Sequence, residues 1–126
     1  MTHRSRLCQI LVDVPKSDFE ATTTFWSGAL GTRVEQPHGD AGEYRVLGWV
    51  VPGIHMEMQS IGGSARVHLD IESDDIEAEV ARLMTLGANE LERHQDWVVM
   101  TDPAGLPFCV VPNFSQEFAT HATQWP

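Results

Sequence analysis

The chain has 126 residues, 42% apolar and 21% charged, which suits one compact domain with its own core and excludes intrinsic disorder. Eight Lys and Arg stand against 18 Asp and Glu; the formal net charge of −10 repels phosphate backbones and anionic lipid, so nucleic acid is excluded and the charge is read as solubility. No run approaches the roughly 20 apolar residues that span a bilayer, the N-terminus lacks signal-peptide patterning, and two cysteines form no disulfide framework, so the expected compartment is the reducing cytoplasm.

The first short apolar strand is CQILVDV, residues 8–14. SDFEATTTFWSGALG follows as a helix. Ser17 and Glu20 have capping-box spacing, Phe19, Thr22, Trp26 and Ala29 recur at helical spacing, and Gly31 can supply the left-handed stop. Three strand-like runs come next: TRVEQ, EYRVLGWVV and IHMEMQSI, separated by the turn chemistry of HGDAG and Pro52-Gly53. RVHLDI, residues 66–71, opens the second half. SDDIEAEVARLMTLGA is its helix, with Asp74 and Glu77 as an acidic cap, a stripe of Ile76, Val80, Leu83 and Met84, and Gly87 as the stop. NELERH, DWVVMTD and PFCVV complete the strands. In the tail, Phe114, Phe118, His121 or Ala122, and Trp125 have the spacing of a short helix.

Both halves therefore read strand, helix, strand, strand, strand. VDVPKSDFEA and LDIESDDIEA lie 57 residues apart and reinforce the repeat. The linker GGSA, residues 62–65, is too short to join independent domains, and each half alone would bury little. The expectation is an α+β fold: one domain over residues 1–112, built from modules 7–61 and 66–112, with a tail at 113–126.

Three stretches carry a family likeness: FWSGALG, VHLDIESDDIEAEVARLMTLGA, and DWVVMTDPAGLPFCVV. Over residues 7–112 the chain resembles the vicinal oxygen chelate superfamily, which includes glyoxalase I, bleomycin-resistance proteins and extradiol dioxygenases. The likeness is closest to its glyoxalase-like branch, with His-Leu-Asp in the fifth strand. The resemblance implies two βαβββ modules forming a single cup-shaped mixed sheet. The superfamily holds lyases, epimerases, dioxygenases and drug-sequestering proteins, so fold does not choose the function.

The family's metal enzymes draw ligands from strands one, four, five and eight. The matching positions are Gln9 (or Leu11, by the 57-residue repeat), Glu57, His68 and Cys109. Cys109 stands where the family pattern has Glu. Zinc accepts imidazole, carboxylate and thiolate, but Gln is a weak ligand, and a thiol with a reference pKa of ~8.5 must lose its proton to bind. The expected cofactor is therefore none, the alternative being a divalent metal such as zinc, nickel, manganese or iron. Asp70 shares the face of His68, and Gln59 that of Glu57. Trp49 and Trp97 are candidate pocket walls, whereas Trp26 is read as core. Cys109 can equally be a small buried apolar residue, and His68 a satisfied sheet residue. His3, His38, His94 and His121 receive no role.

The resulting expectation is a homodimeric protein binding a small organic molecule in a cup lined by Gln9, Glu57, Gln59, His68, Asp70 and Cys109, without a complete catalytic metal site. A metal-dependent lyase, isomerase or dioxygenase is one rival. A metal-free drug-sequestering protein is another.

Overall fold

In the computed structural model, residues 2–37 and 42–126 are described, with only the backbone at Trp49, Val50 and Val51. The element order is β1 (His3–Pro15), a 3₁₀ turn (Lys16–Asp18), α1 (Phe19–Leu30), β2 (Tyr44–Val51), β3 (Ile54–Ile61), β4 (Arg66–Ser73), α2 (Ile76–Thr85), β5 (Asn89–Arg93), β6 (Val98–Thr101), β7 (Pro107–Pro112), α3 (Phe118–His121) and β8 (Thr123–Trp125). Helices and mixed β pairing make the class α+β, as the sequence implies. The chain divides into two compact units, one of Gln9–His68 and one of Met1–Cys8 with Leu69–Pro126. The first eight residues thus belong with the second half of the chain.

In the Gln9–His68 unit, β1 runs parallel to β3, and β3 pairs antiparallel with β2. TRVEQ forms no full strand; only Glu35 bridges to Val46. Val14, Phe19, Leu47, Met56 and Met58 make the buried cluster, with Val12 and Trp26 packed on it. Trp26 is core, as read. The capping box at Ser17 does not form: a 3₁₀ turn occupies that stretch, no side chain caps the helix, and Glu20 pairs instead with Arg45 at 3.5 Å. Gly31 does stop the helix, at φ 68°, a conformation that costs a residue with a Cβ about 1–2 kcal/mol.

The other unit repeats the pattern. Here β4 runs parallel to β7, which pairs antiparallel with β6, and β6 with β5. Val80, Val98, Met100, Phe108 and Val110 form its core, joined by Leu69, Ile71, Ile76 and Leu83. Met84, expected in the buried stripe, is half exposed. Asp75, not Asp74, caps α2 by accepting from the Ala78 amide at 3.0 Å; Asp74 is drawn away to accept from the Arg4 amide at 2.8 Å.

The tail gives the expected helical turn at α3 and an additional strand, β8, antiparallel to the start of β1 with His3 opposite Trp125. A buried carboxylate anchors it. Glu72 accepts from the backbone amides of Phe114 at 2.7 Å and Ser115 at 3.0 Å, from the Ser115 hydroxyl, and from Arg6 at 3.3 Å.

Candidate functional site

Side chains alternate across a strand, so the two faces of the Gln9–His68 strands can be read separately. Val12, Val14, Met56 and Met58 enter the α1 core. The intervening residues Gln9, Leu11 and Asp13 on β1, and His55, Glu57 and Gln59 on β3, turn to the opposite face. The register pairs Gln9 with His55, Leu11 with Glu57, and Asp13 with Gln59. Both readings of strand one therefore fall on this face: Leu11 lies opposite Glu57, and Gln9 one pair earlier.

Hydrogen bonds tie this face together. The Gln9 amide nitrogen donates to Glu57 Oε2 at 3.4 Å, and Gln9 Oε1 lies 2.8 Å from His55 Nδ1. An amide oxygen can only accept, so His55 carries a proton on Nδ1. Burial pulls the His55 pKa below its usual 6.5, against the opposing pull of Glu35, so the ring is neutral at pH 7 with Nε2 as its acceptor. Gln59 donates to the Tyr44 hydroxyl at 3.0 Å.

His68 reaches a second anchor. Its Nδ1 donates to Asp13 Oδ2 at 2.6 Å, and Arg66 Nε donates to the same oxygen at 3.1 Å. Asp13 is fully buried, and its Oδ1 has no hydrogen-bond partner among the described residues. With Nδ1 committed, the orientation of the His68 ring is fixed and Nε2 is the nitrogen presented onward.

The depressed pKa of His55 has a sign that can be checked. Below pH 6.5 the unfolded chain takes up this proton before the folded one does. The stabilisation from neutral His55 is full above that value and is lost as pH falls through the folded pKa. The denaturation midpoint of the protein should therefore drop below about pH 6.5 more steeply than that of His55→Gln, and parallel curves would contradict the assignment.

In the other unit, Asp70 and Cys109 are register partners across β4 and β7. His68, two residues before Asp70 on β4, turns to the same side of that strand. Cys8 is buried and donates its thiol to the Asp70 carbonyl at 3.4 Å. Burial first, then Glu72 and Asp70, drive its pKa far upward, so it is inert. Both cysteines are free, and Cys109 is half-buried. Iodoacetamide should modify Cys109 while sparing Cys8 in native protein; mass spectrometry of the alkylated peptides reads the ratio, and equal labelling would overturn this.

Trp97 sits at the β5–β6 hairpin end, 40% exposed and stacked on His94 at 4.2 Å, rather than in mid-strand. The side chain of Trp49, like all of His38, lies outside the described residues. The sequence reading passed over Asp13 and His55. Their signal was a polar residue in the alternating phase of Gln9 and of Glu57.

These donors were tested against the divalent metal that the resemblance implies. The one Gln9 atom able to bind a cation, Oε1, is engaged by His55, and Leu11 has no donor. Among the described residues, Glu57 belongs to no converging group of three His, Cys, Asp or Glu side chains. His68 has the carboxylate-backed geometry of a ligand, but the strand-one position does not fit one.

Comparison with known proteins follows this geometry. Methylmalonyl-CoA epimerase from Mycobacterium tuberculosis is similar in structure with a TM-score of 0.62 at 12% identity, over 90% of this chain and 91% of that one. 4-Hydroxymandelate synthase from Streptomyces coelicolor, as a mutant, gives 0.57 at 15% identity, over 90% of this chain and 50% of that one. A glyoxalase/bleomycin resistance protein/dioxygenase superfamily member from Vibrio splendidus 12B01 gives 0.51 at 15% identity, over 86% of this chain and all of that one (100%). At such identities the likeness shows the fold alone. No curated protein sequence matches. The glyoxalase-like domain family matches residues 9–111, and the chain belongs to that family, within the vicinal oxygen chelate superfamily.

Proposed function

We propose that this protein binds a small polar organic molecule over the strand face that carries Gln9, His55, Glu57 and Gln59, without a complete catalytic metal site. The observation that carries the reading is the linked polar row itself: His55 to Gln9, Gln9 to Glu57, and Tyr44 to Gln59. Polar groups taken from water cost roughly 1–3 kcal/mol each when unpaired, so a face needed only for stability would be apolar. Here Gln9 is buried, Tyr44, His55, Glu57 and Gln59 are half-buried, and the groups are mutually oriented, which suits recognition of a ligand's hydroxyl, carbonyl or amine groups. His68, held by Asp13, adds an oriented imidazole. Asp70 and Cys109, register partners on β4 and β7, are proposed as ligand contacts within their own unit. Homodimer formation is part of the same proposal, and sedimentation velocity reads it.

One observation favours a second reading, a metal-dependent lyase or isomerase: the bond from His68 Nδ1 to Asp13 gives the ring the carboxylate-backed orientation that metal-ligating histidines have. Native mass spectrometry of protein purified without chelator distinguishes the two. The binding reading expects an organic adduct of unchanged mass that is lost in His68→Ala, with metal well below stoichiometric. Near-stoichiometric metal, with turnover of a hemithioacetal, a catechol or methylmalonyl-CoA that chelation abolishes, would replace it. An intact bound antibiotic would identify a sequestering protein. Among the described residues no helix is long and apolar enough to cross a membrane.

A further inference from the structure

A cavity of about 460 Å³ lies within the unit of Met1–Cys8 and Leu69–Pro126, between α2, the start of β1 and the tail strand β8. Leu7, Leu69, Ile71, Leu106, Phe108 and Trp125 are its apolar lining. Leu69 and Phe108 are register neighbours, as are Ile71 and Val110, and all four pack with the α2-side core. Asp70 and Cys109 alternate with them and face the other way. None of its lining residues belongs to the polar row described above. Its volume falls within the roughly 300–1,000 Å³ range of small-molecule pockets.

The charges around it are already spent on one another. Glu79, fully buried, lies 2.7 Å from His3 Nε2, and Arg82 grips its two oxygens at 2.8 and 2.9 Å. Burial pushes the Glu79 pKa up, but Arg82, His3 and Ser5 hydrogen bonds outweigh that and hold it below 4.5. Arg82 also lies over the Trp125 ring at 3.7 Å, and the Trp125 indole donates to Ser5 Oγ at 2.8 Å. Asp102 accepts from the amides of Ala104 and Leu106 at 2.9 and 2.8 Å. Arg6 is bonded to Glu72 and Ser115. A charged guest would have to break one of these pairs, at the cost of an uncompensated buried charge.

We infer that this cavity is a second ligand site, selective for a neutral, largely apolar molecule with an aromatic ring, with Trp125 as one of its fixed lining side chains. An apolar ring gains by leaving water, and the flat faces of Trp125 and Phe108 offer it edge or offset contacts. Trp125 is anchored on its polar side by Ser5 and Arg82, so its ring is presented to the cavity rather than free to rotate.

The test uses the full chain and the neutral fluorophore N-phenyl-1-naphthylamine. Saturable 1:1 binding is expected. Leu106→Trp, which fills the cavity from an exposed turn, and Trp125→Ala, which removes a wall at the end of the chain, should each weaken it at least about tenfold. Circular dichroism and the denaturation midpoint establish that both variants fold. His68→Ala and Gln9→Ala should leave it unchanged. Methyl shifts of Leu69, Ile71 and Leu106 on titration locate the probe independently of any variant. The anionic analogue 1-anilinonaphthalene-8-sulfonate should bind at least about tenfold more weakly. Absence of saturable binding, binding lost only in the His68 or Gln9 variant, or preference for the anion would each overturn the inference. Loss confined to the His68 or Gln9 variant would place the probe on the polar face instead, whereas absent binding or preference for the anion would sink the cavity site alone.

Discussion

Glu72→Ala should destabilise the protein by about 3–5 kcal/mol, the range for removing one partner of a buried ion pair. Glu72 has no exposed surface and collects four donors: Arg6, two backbone amides and the Ser115 hydroxyl. Alanine would leave the guanidinium of Arg6, itself only 9% exposed, without its counter-charge. It would also strand the amides of Phe114 and Ser115 at the start of the tail. Glu72→Gln keeps an acceptor for the amides and should lose roughly half as much. Urea denaturation at constant slope reads both effects. A cost below ~1 kcal/mol for the alanine variant would mean that water replaces the carboxylate, and that the tail is not fastened in this way.

Asp13→Ala is expected to cost about 2–4 kcal/mol and to abolish ligand retention by the polar face. Asp13 is buried, and the same oxygen binds both the His68 ring and Arg66. Arg66 is half exposed and can turn to water, whereas the buried His68 Nδ1 would lose its carboxylate acceptor. Losing the already unpartnered Oδ1 gives back part of the desolvation cost, which keeps the estimate below that for Glu72. A double-mutant cycle with His68→Ala separates orientation from simple packing: coupling of at least ~1 kcal/mol is expected. Additive effects would show that Asp13 does not position the ring.

Much of this architecture was legible because its signals are periodic. IHMEMQSI alternates from Ile54 to Gln59, and its limits are those of β3. The stops at Gly31 and Gly87 follow from the positive φ that glycine tolerates. Cap identity was harder to read. SDD offers three neighbouring capping residues, and a tertiary contact, the Arg4 amide on Asp74, decided among them. TQW in the tail is too short to carry a period, so only pairing with β1 makes it a strand. The 57-residue repeat aligns Asp13 with Asp70, so treating Asp70 as a candidate should have drawn attention to Asp13 as well. His55 was hidden for a different reason: next to the turn it looks like a strand end, and only the parallel register brings it beside Gln9.

The antiparallel pairing of His3–Ser5 with Thr123–Trp125 also bears on how the chain is made. During synthesis residues 3–5 leave the ribosome long before residues 123–125, so the segment ahead of Gln9 waits for its partner strand to be translated. The Gln9–His68 unit has its strand partners earlier and can acquire structure first. A stalled or prematurely terminated product lacking the last few residues would present the unpaired edge of β1 to its neighbours, an invitation to aggregation rather than to a slightly shorter native protein.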